Sequence, residues 1–280
     1  MADLISYMRK YNETAKAGDD LRFYGFDMQN WSYNLQYLTE ACKASGIDVT
    51  ELKKLEDNDE ADGGYDIEEQ TRIIMEIKKE LQESDAKDIK QADHLADTLL
   101  QNISLGKVID SAVEGNALRD QRMAENVMWI LSMEEQRGNA CIFIFGHNGH
   151  IERSGNYGTD NRVMGNILSD ELGEGYFAIG TDFYKTNCNL PKSDGKRITH
   201  TFYSYDPLAK AAKKAGYDMC WLDFSKVSEN SKLKEQITDH VSMGSLGEGY
   251  SAFFMSIFPQ SYRISQSSEK LYDGMIFVKK

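Results

Sequence analysis

One short segment constrains the fold of this chain more than any other: the five consecutive apolar residues Cys141-Ile-Phe-Ile-Phe145. An unbroken run of β-branched and aromatic residues predicts a strand that is buried on both faces. Gly146 ends the run, and His147 and His150 follow within four residues. Ligands in open α/β sheets bind at the carboxyl ends of such strands, so the pattern predicts that both histidines lie at a functional site.

The residue types after this run suit acid–base chemistry. The unperturbed pKa of histidine lies near neutrality, so either imidazole can accept or donate a proton at working pH. A single histidine after a strand is usually a cap or a hydrogen-bonded loop residue. Here His147 and His150 are flanked by glycines, which let a ligand approach the backbone closely, and this favours a functional reading. Asn148, between the histidines, is a supporting residue of the same predicted site.

Composition narrows the classes of partner. A chain of 280 residues with 41% hydrophobic residues can bury a sizeable core, as one large α/β domain or two small ones. The formal net charge of -13 argues against nucleic acid and against anionic membranes, because both require a basic surface. With these two classes excluded, a small molecule is the expected partner. Composition does not determine the oligomeric state.

Cysteine usage and hydropathy indicate a cytoplasmic protein. Cys42, Cys141, Cys188 and Cys220 lie far apart without a CxxC pair, which is typical of a reduced protein. No apolar run reaches the ~18 residues that span a bilayer. The first twelve residues carry charges and lack the long apolar stretch of a signal peptide.

The order of apolar patterns predicts an α/β fold with a mainly parallel central sheet flanked by helices. We expect a single domain over 1–280, with a helical insertion at about 30–110 and an acidic loop over 52–64. Strands are expected at 21–26, 141–145, 176–180, 219–222 and 275–278. Helices are expected at 2–12, from Asp66, from about Asp85, and at 117–137 and 207–216.

A second constellation precedes the histidines, on the helix predicted at 117–137. Asp120 falls in its predicted first turn, where the helix dipole favours a carboxylate. Arg119 gains nothing from the dipole there, which indicates that it pairs with a carboxylate or holds an anionic transition state. Asn126 follows Arg119 by seven residues and therefore shares its helix face.

Several catalytic signatures are missing from the chain. It has no GxSxG nucleophile elbow, no HExxH motif and no P-loop. His147 and His150 have a spacing that could ligate zinc, but a catalytic zinc site needs a third protein ligand. We expect no cofactor, and a metallohydrolase that uses this pair remains an alternative.

Taken together, these motifs resemble the erythromycin esterase family, whose relatives include proteins labelled succinoglycan biosynthesis. The resemblance covers nearly the whole chain. Its motifs are 4–12, 22–29, 119–126, 146–151 and 272–277. It implies a metal-independent hydrolase in which histidine activates water to attack an ester, in some members a macrolide lactone, as in antibiotic resistance. His147 and His150 match the family's second histidine motif, which lines the active-site cleft.

The resemblance also implies an N-terminally truncated member. The family has an earlier segment that carries a glutamate, an arginine and a histidine proposed as the general base, and this chain begins after it. The chain is then a fragment, a truncated relative that binds without catalysis, or an enzyme in which His147 or His150 acts alone as base. Asp27, at the end of a predicted strand, is the expected carboxylate that orients the histidine.

Overall fold

The computed structural model describes residues 1–16, 18–58, 66–84, 89–108, 111–139, 141–154, 161–192, 194–204, 206–247, 251, 255, 257–258 and 262–278. The chain divides into two compact units, Met1–Ile142 and Phe143–Lys280. The single domain over 1–280, with an insertion at about 30–110, stays a prediction.

The regular elements described in unit 1 are all helices. Its helices are α1 (Ala2–Asn12), α2 (Trp31–Ala44), α3 (Thr50–Asn58), α4 (Ile67–Gln82), α5 (Ile89–Gly106) and α6 (Ala112–Gln136). Apolar side chains at helical spacing form its core, among them the fully buried Leu35, Leu38, Ile74, Leu81 and Leu99. Burying one such side chain stabilises a fold by roughly 1.5–3 kcal/mol, so these faces determine how the helices pack.

The amphipathic pattern predicted most of these helices. The helix expected from Asp66 is confirmed as α4, and its buried residues include Ile73 and Ile77. The loop expected over 52–64 is wrong at its start, because α3 extends to Asn58. Leu52 and Leu55 are both buried there, so apolar spacing outweighed the acidic composition. The rest of that expected loop, 59–65, lies outside the described residues.

The strand expected at 21–26 is wrong: this segment belongs to no described sheet. Instead, side-chain hydrogen bonds attach it to α6. The Tyr24 hydroxyl donates to Glu134 Oε1 at 2.6 Å, and Asn126 Nδ2 donates to the Phe26 carbonyl oxygen at 2.9 Å. Side chains of α6 therefore hold the segment 21–26, which the sequence predicted to lie in a sheet.

Unit 2 carries all the described strands. They are β1 (Ile179–Phe183), β2 (Lys185–Pro191), β3 (Arg197–Tyr203), β4 (Met219–Asp223), β5 (His240–Gly244), β6 (Arg263–Ser267) and β7 (Gly274–Val278). Its helices are α7 (Asn148–Ile151), α8 (Met164–Leu172), α9 (Pro207–Ala215), α10 (Lys232–Thr238) and α11 (Ser268–Leu271).

The described strands form small, mostly antiparallel sheets. The largest has the order β1-β7-β4, in which β1 and β7 are parallel while β4 and β7 are antiparallel. The pairs β2–β3 and β5–β6 are antiparallel. The mixed α/β class is therefore confirmed, but the mainly parallel central sheet is not.

Two of the expected strands are confirmed as β4 and β7, while the strand expected at 176–180 begins later, at Ile179. Close packing of β7 explains one residue of its motif. A Cβ added to Gly274 would lie 2.4 Å from the Trp221 ring and 2.7 Å from the Leu222 carbonyl oxygen. Only glycine allows β4 to approach this closely.

The strand expected at 141–145 is wrong, although it motivated the site prediction. Residues 141–147 belong to no strand, and no described strand pairs with them. Phe143 and Phe145 are 82% and 74% exposed, and Cys141 is exposed as well. An apolar run becomes a buried strand only when strands and helices cover it, which the run itself does not encode.

Candidate functional site

His147 caps the N-terminus of α7 and has a defined tautomer. Its Nδ1 accepts a hydrogen bond from the Gly149 N–H at 3.2 Å, so Nδ1 carries no proton. Its Nε2 lies 2.8 Å from the Leu246 carbonyl oxygen, to which it must donate. The two bonds together require a neutral imidazole protonated at Nε2, held in one orientation from both sides.

His150 lies on the single turn of α7 and is half-buried. Its ring centroid is 6.4 Å from that of His147, with the ring planes at 73°. The His147 carbonyl oxygen accepts from the His150 N–H at 2.9 Å, which fixes the spacing of the two backbones. The turn therefore presents two imidazoles close enough to act on one small molecule.

Asn148 ties this turn to β1. Its Nδ2 donates to the Thr181 carbonyl oxygen at 2.6 Å, and its Oδ1 accepts from the Thr181 N–H at 3.0 Å. The Thr181 hydroxyl also donates to Oδ1, at 3.1 Å. The asparagine side chain thus bonds β1 as a neighbouring strand would, and it gives the histidine turn a rigid support.

The segment after the histidines is held by the C-terminal motif 272–277. The Tyr272 hydroxyl donates to Oε2 of the buried Glu152 at 3.3 Å, and Arg153 pairs with Asp273 at 2.5 Å. α8 packs so closely here that a Cβ on Gly165 would lie 2.4 Å from the Ile151 and Glu152 carbonyl oxygens. Motifs that are distant in sequence therefore fix the end of α7.

The predicted supporting residues Arg119, Asp27 and Asn126 form hydrogen bonds within unit 1. Arg119 binds Asp27 through two bonds, Nη2 to Oδ2 at 2.7 Å and Nε to Oδ1 at 3.3 Å. Asn126 is buried and exchanges hydrogen bonds with Gln101 at 3.0 and 3.1 Å. Asn126 also bonds the Phe26 carbonyl oxygen, next to the Asp27 that Arg119 bonds. The two side chains therefore hold adjacent residues of one segment, as their shared helix face predicted.

The helical position predicted for Arg119 and Asp120 is wrong. α6 begins at Ala112 after the Ser111 cap, so both residues lie well inside the helix and not in its first turn. Asp120 is 2% exposed, and its burial in the helix interior replaces the predicted dipole role. Asp27 bonds Arg119, and its role in orienting a histidine stays a prediction.

Sequence reasoning missed the residues that orient the histidine turn. Thr181 and Leu246 act through backbone groups, which no residue pattern marks. Glu152 follows directly after α7, and its position next to a histidine motif was the available signal. Among the described residues, no group of three or more His, Cys, Asp or Glu side chains is arranged to hold a metal ion.

Comparison with known proteins identifies the family. A family model described as erythromycin esterase matches residues 1–280. This chain belongs to the erythromycin esterase family. Family membership supports a hydrolase-like function. No curated protein matches this family member.

Three solved structures share the fold of this erythromycin esterase family member. A Bacillus cereus protein has a TM-score of 0.74 at 20% identity, over all of this chain and 71% of its own. A succinoglycan biosynthesis protein has a TM-score of 0.72 at 17% identity, over 100% and 69%. A histidine-to-asparagine mutant of the erythromycin esterase EreC, in its open conformation, has a TM-score of 0.61 at 15% identity, over 99% and 71%.

One further structural finding concerns membranes. No helix in the described ranges combines the length and the apolar character needed to cross a bilayer. The expected cytoplasmic location stays a prediction.

Proposed function

We propose that this chain hydrolyses a carboxylic ester or lactone, with His150 as the general base that activates water. The geometry of His147 supports this division of roles. Both of its ring nitrogens already hold bonds within the protein, so it can donate through Nε2 but cannot accept a proton without losing the Gly149 bond. His150, on the same turn, is the imidazole assigned to proton transfer.

In this proposal His147 acts as an electrophilic support. Its Nε2–H donates to the Leu246 carbonyl oxygen, and an ester carbonyl oxygen is an acceptor of the same kind. A substrate carbonyl oxygen that displaces the Leu246 carbonyl oxygen would accept this hydrogen bond from Nε2–H. The bond would stabilise the negative charge that develops on the substrate oxygen. The proposed substrate is a small ester or lactone, and the assay panel includes macrolides.

Two histidine variants test the proposal. His150→Gln should lower kcat/KM for a p-nitrophenyl ester at least about 100-fold, the usual contribution of a general base. His147→Gln should lower it by about 100-fold and mainly through kcat, because one oxyanion donor is lost. His240→Gln is the matched control, since His240 is exposed on β5. Unchanged turnover in the double variant would refute the assignment.

A binding role without catalysis is the alternative. It predicts that an ester binds with the same affinity to wild type and to His150→Gln while neither turns it over. Calorimetric titration with a non-hydrolysable amide analogue of the ester, run beside the turnover assay, separates the two functions. Stoichiometric zinc in protein purified without a histidine tag would instead support the metallohydrolase alternative.

A further inference from the structure

Two buried carboxyl groups of unit 2 lie next to the anchors of the histidine turn. Asp182 in β1 is 3% exposed, and Asp206, which precedes α9, is 1% exposed. The Ser204 hydroxyl lies between them, 3.4 Å from Asp182 Oδ2 and 3.1 Å from Asp206 Oδ2. Ionising both buried carboxyl groups would place two negative charges together at a high cost in free energy, so the pair shares one proton.

The hydrogen bonds decide which residue holds the proton. Asp206 Oδ1 accepts from the Leu208 and Ala209 N–H groups at the start of α9, at 2.7 and 3.1 Å, so Asp206 caps this helix. Burial, and then the hydrogen bond and charge of Asp206, raise the pKa of Asp182 well above its usual range. Asp182 is therefore the neutral member that donates to Asp206.

The other oxygen of Asp182 joins two strands. Its Oδ1 accepts from the Phe183 N–H at 2.7 Å and from the Gly244 N–H, at the end of β5, at 3.2 Å. A Cβ on Gly244 would lie 2.6 Å from this oxygen, so glycine is required for the contact. Asp182 thereby fixes the spacing between β1 and the end of β5.

Both anchors of the histidine turn lie beside this link. Thr181, which bonds Asn148, directly precedes Asp182. Leu246, whose carbonyl oxygen holds His147 Nε2, follows Gly244 by two residues. We propose that Asp182 and Asp206, sharing one proton, are positioning residues that hold His147 and Asn148 in their working geometry. The inference rests on the proposed function, because it concerns the same site.

Charged groups on the neighbouring elements face other partners in the described contacts. On β6, Arg263 pairs in register with Gly244, and its Nη2 donates to the Tyr203 carbonyl oxygen at 3.3 Å. On α9, the Lys213 ammonium lies 3.9 Å from the centre of the Tyr184 ring. Asp206 is thus the titratable group whose charge acts on Asp182.

The sign of the pH effect follows from the raised pKa. The unfolded carboxyl ionises near its ordinary value of 3.8, whereas the folded one keeps its proton to higher pH. The stabilisation is complete below that ordinary value and is lost as the pH rises toward the folded pKa. Loss of the proton leaves two facing carboxylates, which should part β1 from β5 and release the His147 anchor.

The test uses neutral isosteres. Asp182→Asn retains the acceptor for Phe183 and Gly244 and places an amide donor toward Asp206, and Asp206→Asn also remains a good helix cap. Asp218→Asn, exposed in the same unit, is the control. The readouts are Tm between about pH 5 and about pH 9 and the ¹⁵N shifts of the His147 ring, since a linked titration moves both.

We expect wild type and Asp218→Asn to lose about 3–6 °C in Tm over this range, with a parallel shift of the His147 signals. Asp182→Asn should abolish both changes, and Asp206→Asn should reduce them, because burial alone still raises the pKa of Asp182. His147 signals that move with pH identically in wild type and both isosteres would overturn the proposal. Neither readout needs a substrate, so absence of ester hydrolysis refutes the proposed function and leaves this test intact.

Discussion

The side-chain amide of Asn148 bonds both backbone polar groups of Thr181, at 2.6 Å to the carbonyl oxygen and 3.0 Å from the N–H. The amide of Asn148 thereby donates to and accepts from the backbone of Thr181, as the backbone of a neighbouring strand would in a sheet. This pairing explains how a one-turn helix without an adjacent strand of its own keeps a fixed place beside β1.

Asn148→Asp should therefore disturb the histidine turn more than its size suggests. An ionised carboxylate offers no donor, so it would face the Thr181 carbonyl oxygen as a second acceptor. We expect a loss of about 1–3 kcal/mol in the free energy of unfolding, measured with urea. Asn230→Asp, at an exposed turn, is the control. Equal stability of the two variants would show that the Thr181 contact carries no weight.

Gly165→Ala tests the contact between α8 and the end of α7. Its Cβ would meet the Ile151 and Glu152 carbonyl oxygens at 2.4 Å, and backbone cannot move aside as a flexible side chain can. Overpacking of this kind costs about 1–3 kcal/mol, so Tm should fall by several degrees. Gly247→Ala adds its methyl group to open space and should leave Tm unchanged. A Tm for Gly165→Ala within error of wild type would contradict the packing.

The ion pair of Arg119 and Asp27 should be measurable by a double-mutant cycle. Its two bonds and partial burial, with side chains 23% and 34% exposed, favour a coupling energy of about 1 kcal/mol. The pair of Arg72 and Glu69 is more exposed, at 46% and 38%, and should give a smaller coupling energy. Variants Arg119→Gln and Asp27→Asn, singly and together, provide the cycle. Coupling no larger than in the comparison pair would remove the special role of this contact.

His94 should make unit 1 sensitive to acid. Its ring stacks on Trp129 with centroids 3.7 Å apart, and burial lowers its pKa to about 4. The unfolded imidazole takes up its proton near 6.5, so stability is lost as the pH falls from about 6.5 to about 4. His94→Phe keeps an aromatic ring without a titrating group, and its Tm should fall less steeply over this range than that of wild type.

His240→Gln, which removes an exposed imidazole, should retain the full wild-type slope of Tm against pH. An NMR titration of His94 provides a direct check. A midpoint near 6.5 for His94 would show that the stacked ring is accessible to protons and would remove the basis of this prediction.

The helices of unit 1 were largely predictable, and the reason is local. Ile73, Ile74, Ile77 and Leu81 recur at helical spacing, and that spacing specifies a buried face whatever it packs against. The run at Cys141 failed because burial of a strand depends on neighbours elsewhere in the chain. The strands β2 and β3 gave no apolar signal, since their exposed faces carry asparagine, threonine and lysine.

The candidate site was predictable in its residue types and not in its assembly. The two histidines and Asn148 are visible as a motif, and the shared face of Arg119 and Asn126 followed from helix geometry. The partners of His147 are a backbone N–H and a carbonyl oxygen, groups that every residue has. Asp182 and Asp206 stand 24 positions apart with no pattern linking them, and only folding brings them together.

The central place of β7 affects how the protein matures. Both of its neighbours precede it in the chain, since Ile179 pairs with Gly274 and Met219 pairs with Val278. Among the described strands, β1 and β4 therefore gain their pairing partner only after β7 has been synthesised. Unit 1 precedes unit 2 in the chain and can fold during translation, so unit 2, which carries the histidine turn, completes its folding after unit 1.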